Sequence, residues 1–164
     1  KDDSVGVDPL RISRKTLYEM EDSLLLFFTG FSRSSGEILK DQHVRSQHAD
    51  RDMLDNLHYV KELGLRSRAA LEAGDVRQFG EIMHKHWEHK KRRSAGMSNP
   101  QIDEWYELGR RNGAIGGKLV GAGGGGFLLF YTEDHALLRQ AMSKAGLSEV
   151  RFRFDFDGTK VLFA

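Results

Sequence analysis

GGKLVGAGGGGFLLFY, residues 116–131, holds seven glycines: Gly116, Gly117, Gly121, Gly123, Gly124, Gly125 and Gly126. Each of these loses more backbone freedom on folding than any other residue type, so a plain turn does not need this many. A run of them lets successive N–H groups point into one concavity with no Cβ in the way. Such nests bind phosphate or seat another loop directly on the backbone. No Gly-Lys-Ser/Thr closes the run, so it is not a Walker loop. Phe127 opens a strand rather than a helix, so it is not a dinucleotide fingerprint either. On composition alone a flexible hairpin or a bulge fits equally well.

Outward from this loop the chain reads as strands around a helical middle. The apolar run at 127–131 is a buried strand, and LLLFFT at 24–29, ended by Gly30, is another. Before it, Val5, Val7, Leu10 and Ile12 around Pro9 suggest an edge strand, since Pro cannot donate to a ladder. Ser13 can cap a short helix through Leu17 and Met20. Ser32, Ser34 or Ser35 can cap a helix carrying Ile38 and Leu39. Helical spacing then runs through Met53, Leu57, Val60, Ala70 and Leu71. Gly74-Asp75 is a stop followed by a start, and Asn99-Pro100 is a second start. Residues 76–93 and 100–113 are therefore helices, as is the short amphipathic segment 134–145. Val150, Phe152, Phe154 and Phe156 alternate with Arg151, Arg153 and Asp155, the pattern of a half-buried strand. Asp157-Gly158 then signals a hairpin into a last strand over 160–164. The sum is one α+β domain over 1–164: a largely antiparallel sheet covered by helices.

Composition bounds the function. A chain of 164 residues buries a sizeable core unaided. Lys plus Arg number 25 against 24 Asp plus Glu, so no net field draws nucleic acid. Zero Cys excludes a disulfide framework, a thiolate nucleophile and Cys-ligated metal. No apolar run reaches the roughly 18 residues of a membrane span. Lys-Asp-Asp-Ser at the start lacks signal-peptide character. The default reading is a soluble cytoplasmic domain. Only two Pro accompany the 18 Gly, so the glycine excess is not low complexity.

The stretch GGKLVGAGGGGFLLFY resembles the third motif of the GHMP kinases, the superfamily of galactokinase, homoserine kinase and mevalonate kinase. Its common form is Lys-Leu-Thr/Ser-Gly-Ala-Gly-Gly-Gly-Gly; here Val120 stands at the hydroxyl position, so the hydroxyl's role is not carried over. LLLFFTGFSRSSGEIL (24–39) and HWEHKKRRSAGMSNPQIDEWYELGRRNGAIGGKL (86–119) resemble the subgroup acting on D-glycero-D-manno-heptose 7-phosphate, with fucokinase-type members next. The resemblance implies a ferredoxin-like antiparallel sheet with an added helical bundle. It covers the chain only as the C-terminal half of such an enzyme. The GLGSS-type ATP loop and the N-terminal ATP-binding domain with its catalytic carboxylate are absent from these residues. It therefore implies ATP and Mg²⁺ for the complete enzyme, none bound by this chain alone, and no catalytic residue here. The expected partners are an N-terminal GHMP kinase domain and a sugar-phosphate substrate, with self-association through the uncovered interface. Gly121, Ala122, Gly123, Gly124 and Gly125 would line the place where sugar meets the γ-phosphate.

Two further groups are candidates for substrate binding. On the helix from Val76, the residues Phe79, Ile82, Met83 and Trp87 form one arc, with His86 and Lys90 in its middle and Ser94 continuing it. Lys90 either snorkels to water or, with Ser94, meets an anionic substrate. Arg33 and Ser34, at a helix start, either hold a phosphate or merely cap. His84 and His86 lie about 200° apart on a helix, so they do not chelate one ion, and no metal site is expected. Three functions compete: half of a sugar kinase, a non-catalytic module binding a ligand or partner, and an RNA-binding sheet whose Phe152, Phe154 and Phe156 imitate a stacking platform.

Overall fold

The computed structural model describes residues 5–30, 36–48, 50–93, 96–121 and 123–159, without the side chains of 37–39, 41, 42 and 46. The two apolar runs are adjacent strands. β1 (Leu24–Phe28) pairs antiparallel with β3 (Phe127–Thr132), Leu24 opposite Tyr131 and Phe28 opposite Phe127. β2 (Ala114–Val120) flanks β3 antiparallel, and β4 (Ser148–Glu149) flanks β1, giving the order β2-β3-β1-β4. With a helix after β1 and another after β3, this is the split β-α-β-β-α-β arrangement of the ferredoxin-like sheet. The fold is α+β, with six helices and four strands among the described residues.

Side chains alternate across the sheet, and both faces are covered. Leu25, Phe27, Leu119, Leu128 and Phe130 enter one core with Ile102, Tyr106, Leu138 and Met142. Leu24 and Tyr131 enter a second with Met20, Leu71, Val76 and Met83, against which Leu129 packs. Burial on both faces is why these strands read as unbroken apolar runs rather than as alternation. Burying such a side chain contributes roughly 1.5–3 kcal/mol.

The crossover from β1 to β2 carries the added helices: α2 (Gly36–Gln47), α3 (Arg51–Glu72), α4 (Val76–Lys91) and α5 (Pro100–Arg111). α1 (Arg14–Ser23) precedes β1, and α6 (His135–Lys144) joins β3 to β4. The start signals at Ser13, Asp75 and Asn99 act as expected, and Asp50 and Asp134 cap α3 and α6 in the same way. The side chains of Ser13, Asp50, Asp75, Asn99 and Asp134 each accept an N–H from the first turn of the helix they open. Gly74 stops α3 at φ 78°. The expected serine caps of α2 lie outside the described residues. Among the described residues no helix is long and apolar enough to cross a membrane.

Two strand expectations fail. Residues 5–12 form no strand, and Val5 and Val7 stand 86% and 87% exposed. The sheet's edge strands are β2 and β4, and neither pairs with this segment. The last strand ends earlier than its pattern. After β4 the Val150 N–H still reaches Leu26 O at 2.8 Å, but the Phe154 N–H turns to Glu21 Oε1 at 2.9 Å. Phe152 and Phe154 pack on the second core from an irregular segment, while Phe156 is exposed. Alternating burial there comes from side chains laid on α1, without a ladder. At the 157–158 turn Asp155 Oδ1 accepts both the Asp157 and the Gly158 N–H, an Asx turn. The strand expected over 160–164 lies outside the described residues.

Candidate functional site

The seven glycines do two different jobs. Gly116, in β2, lets α4 approach: a Cβ there would run into the carbonyl of Gly80 in α4. Gly80 in turn leaves room for the Tyr131 ring. Beyond Val120, Gly121 and residues 123–126 lead into β3. Gly121, Gly123, Gly124 and Gly126 take φ of 102°, 124°, 73° and 105°, values an L side chain rarely adopts.

Three neighbours pin this hairpin. Lys90 Nζ donates to Gly121 O, and to Leu119 O at 3.4 Å. The Gly124 N–H donates to Met97 O at 2.9 Å. Thr29 donates twice to Gly126 O, from its N–H at 3.0 Å and its hydroxyl at 2.9 Å. Gly123 lies so close to the α4–α5 connection that a Cβ would sit 2.7 Å from Met97 Sδ. Gly123 and Gly125 are buried and Gly121 is open. The stretch is thus a held edge of the domain, neither a free tether nor a bulge.

Lys90 is 8% exposed. The expectation that it snorkels to water is overturned: its stem stays in the arc of α4 and its amine meets carbonyls at the foot of the loop. Burial, then repulsion from Lys118 and Arg93, brings its pKa down to about 8. His86, one turn earlier, is pushed down to about 4 by burial and then by Lys118, Lys90 and Arg93. Burial lowers Lys118 as well, with Arg93 adding to it. Lys118 and His86 line a groove of about 410 Å³ together with Val60, Leu63, Phe79, Ile82 and Met83. His84 turns away, its Nδ1 2.8 Å from the Tyr106 hydroxyl.

The structure therefore brings Lys90 to Gly121, with Gly123, Gly124 and Gly125 beyond. Ala122, Ser94, Arg33 and Ser34 lie outside the described residues. Lys118 escapes a reading of helix arcs alone, whereas Arg93, three residues after Lys90, lies on the same arc. Lys118 follows Gly117 and precedes the buried Leu119, so the period-two rule applied to β2 would have turned it toward α4. Toward a nucleotide, the described residues of the loop edge offer open backbone at Gly121. For Mg²⁺, no three His, Asp or Glu converge among the described residues. No step is assigned through either.

A split β-α-β-β-α-β sheet with helices inserted after its first strand and a pinned glycine hairpin after its second defines an α+β domain of one recognised kind. The family GHMP kinases C terminal matches residues 67–148, and the chain belongs to it as a GHMP kinase C-terminal domain. It is 31% identical over 159 residues to the D-glycero-alpha-D-manno-heptose 7-phosphate kinase of Campylobacter jejuni subsp. jejuni serotype O:2, covering 95% of this chain and 46% of that protein. It is 33% identical over 128 residues to the bifunctional fucokinase/GDP-fucose pyrophosphorylase of Arabidopsis thaliana, covering 78% of this chain and 12% of that one. Among solved structures, the D-glycero-D-manno-heptose 1-phosphate kinase from Bacteroides thetaiotaomicron superposes with a TM-score of 0.61 at 26% identity, over 94% of this chain and 40% of that one. The chain thus spans less than half the length of these relatives.

Proposed function

We propose that this domain is the substrate side of an ATP-dependent kinase for D-glycero-D-manno-heptose 7-phosphate or a closely similar sugar phosphate. It works against an N-terminal GHMP domain that supplies the nucleotide loop, the Mg²⁺ ligands and the catalytic carboxylate. Phosphoryl transfer needs positioning and charge neutralisation more than covalent help from the protein. A hairpin edge held from three sides gives the first, and the cations at its foot give the second. The observation that carries the reading is the Lys90 amine, buried yet directed onto Gly121 O: it fixes side-chain-free backbone beside positive charge. The 31% identity along nearly the whole chain to a heptose 7-phosphate kinase supports the substrate class.

A fucokinase-type reading also has support, in the 33% identity to the Arabidopsis enzyme. The two differ in whether the sugar arrives already phosphorylated. Joined to a GHMP N-terminal domain, the protein is expected to release ADP when given ATP, Mg²⁺ and the heptose 7-phosphate, and to be inactive without that domain. Preference for unphosphorylated fucose would favour the second reading, and a well-formed complex that turns over neither sugar would reject both. Within the active complex, Gly124→Leu is expected to lower kcat about 100-fold or more, the usual effect of misplacing a reacting group by an ångström. Circular dichroism should stay unchanged, and unaltered kcat would count against the loop's role.

A further inference from the structure

His86, Lys90 and Arg93 fall at i, i+4 and i+7 along α4 and its end, so they share one face. Lys118 projects toward that face from β2. Among the described residues no ion pair holds any of the four, whereas Lys91, on the neighbouring face, is paired with Glu88 at 2.8 Å and lies 3.8 Å from Asp103. Lys90 spends its protons on the loop carbonyls. Arg93 Nε donates to Asn56 Oδ1 at 3.1 Å, but its Nη2 is buried and unpartnered, and so is His86 Nδ1. His86, Arg93 and Lys118 each keep part of their surface exposed, and His86 and Lys118 line the groove, while Arg93 Nη2 and His86 Nδ1 themselves are closed off from solvent, so a ligand would have to displace the side chains around them.

Lysine and arginine are almost never buried unless paired. Here cations gather without a carboxylate and lower one another's basicity. One alternative is that they merely complement the C-terminal dipole of α4. That effect is about 0.3–1 kcal/mol and screened by salt. It does not explain Lys118, which sits on a strand, or the Arg93 Nη2 donor turned inward without an acceptor. An anion with several acceptor oxygens does.

We propose that Lys118, Arg93 and His86 form a pocket for a phosphomonoester dianion, the phosphate that the sugar already carries before transfer. Lys90 is the positioning residue that ties this pocket to the glycine hairpin. The assignment rests on the kinase reading given above. A monoester is favoured over a nucleotide triphosphate because the lining of the adjoining groove holds Lys118 and His86 but no Asp or Glu to share a metal ion with a triphosphate, and no metal-ligand cluster lies beside it among the described residues.

The test titrates the full chain with D-mannose 6-phosphate, inorganic phosphate, D-mannose and ATP, following backbone amide shifts by NMR. Mannose 6-phosphate should bind at least tenfold more tightly than mannose and shift the amides of Lys118 and its neighbours. Lys118→Gln and Arg93→Gln should each weaken it about tenfold or more, while Lys91→Gln leaves it unchanged. Equal affinity for mannose and its phosphate, or undiminished binding in both Gln variants, overturns the pocket. Displacement of mannose 6-phosphate by ATP with higher affinity overturns its assignment to the sugar. Arg93 lies past the end of α4, so its variant keeps the test open if Lys118→Gln fails to fold. The titration needs neither ATP turnover nor a second domain. Phosphate binding without kinase activity in the joined protein therefore counts against the kinase reading alone.

Discussion

Gly123 and Gly121 share a positive φ but not their surroundings, and that separates two effects usually confounded. At Gly123 a methyl would meet Met97 Sδ at 2.7 Å, and at Gly121 it would meet nothing within 4 Å. Gly121→Ala should therefore show backbone strain alone, about 1 kcal/mol, and Gly123→Ala strain plus collision, about 2–3 kcal/mol. Urea denaturation at constant m decides; equal losses would mean the loop gives way freely. Protonation offers a second residue-level readout. Lys90 holds its proton to about pH 8 in the folded chain and to about 10.5 when unfolded. Between those values the unfolded chain binds more protons, so stability should rise with pH. Lys118 pushes the same way. Tyr131, raised to about 12, reverses the trend above pH 10, where the unfolded phenol ionises first. His86 is neutral in the folded chain down to about pH 4 and takes a proton below 6.5 when unfolded, so stability should fall as pH drops through that window. Lys90→Met should flatten the alkaline rise and His86→Gln the acid fall, each checked by Tm against pH. Lys90 was legible in the sequence because a cation in the middle of an apolar arc stands out. What it touches was not, because the partner is a backbone carbonyl contributed by another element.

The caps, the two buried strands and every helix from α3 onward followed from local signals, since cap side chains and apolar periodicity act within a few residues of the backbone they shape. Strand pairing is different in kind: the alternation at 150–156 is real, yet after Val150 it makes no ladder, because the Phe154 N–H goes to the Glu21 carboxylate of α1. Residues 5–12 likewise pair with neither edge strand. Tertiary contact also decides what each glycine is for, and that too was unreadable from spacing. Gly80 and Gly116 bring α4 and β2 into backbone contact, whereas Gly64, inside α3, has open space around it. Gly64→Ala should gain about 0.5–1 kcal/mol from helix propensity. Gly80→Ala should lose more than about 2 kcal/mol despite the same propensity, because the Tyr131 ring must move. Thermal unfolding of the pair measures the packing term as the difference; a stabilised Gly80→Ala would show that α4 is free to shift on the sheet.

At the scale of the whole molecule the question is what meets the loop end of the sheet. Phe28, Phe127 and Val120 stand in one row across β1, β3 and β2, with the Phe28 and Phe127 rings 5.1 Å apart. Phe28 and Val120 are 40% and 39% exposed. The glycine hairpin and the α4 cations border this row, so apolar surface and charge lie at one end of the domain, where the proposed function places the N-terminal partner. Single exposed apolar residues mean little, but a row that continues a core does. The chain by itself should therefore associate with its own copies through this end. Sedimentation velocity should show mass rising with concentration, reduced by Phe28→Ser together with Val120→Ser. Both positions lie at strand ends, so the double variant should keep its helical signal. If the joined two-domain protein is monomeric at concentrations where the single domain associates, the partner covers this end. If both associate equally, the end stays open in the enzyme, and the two domains meet across another face.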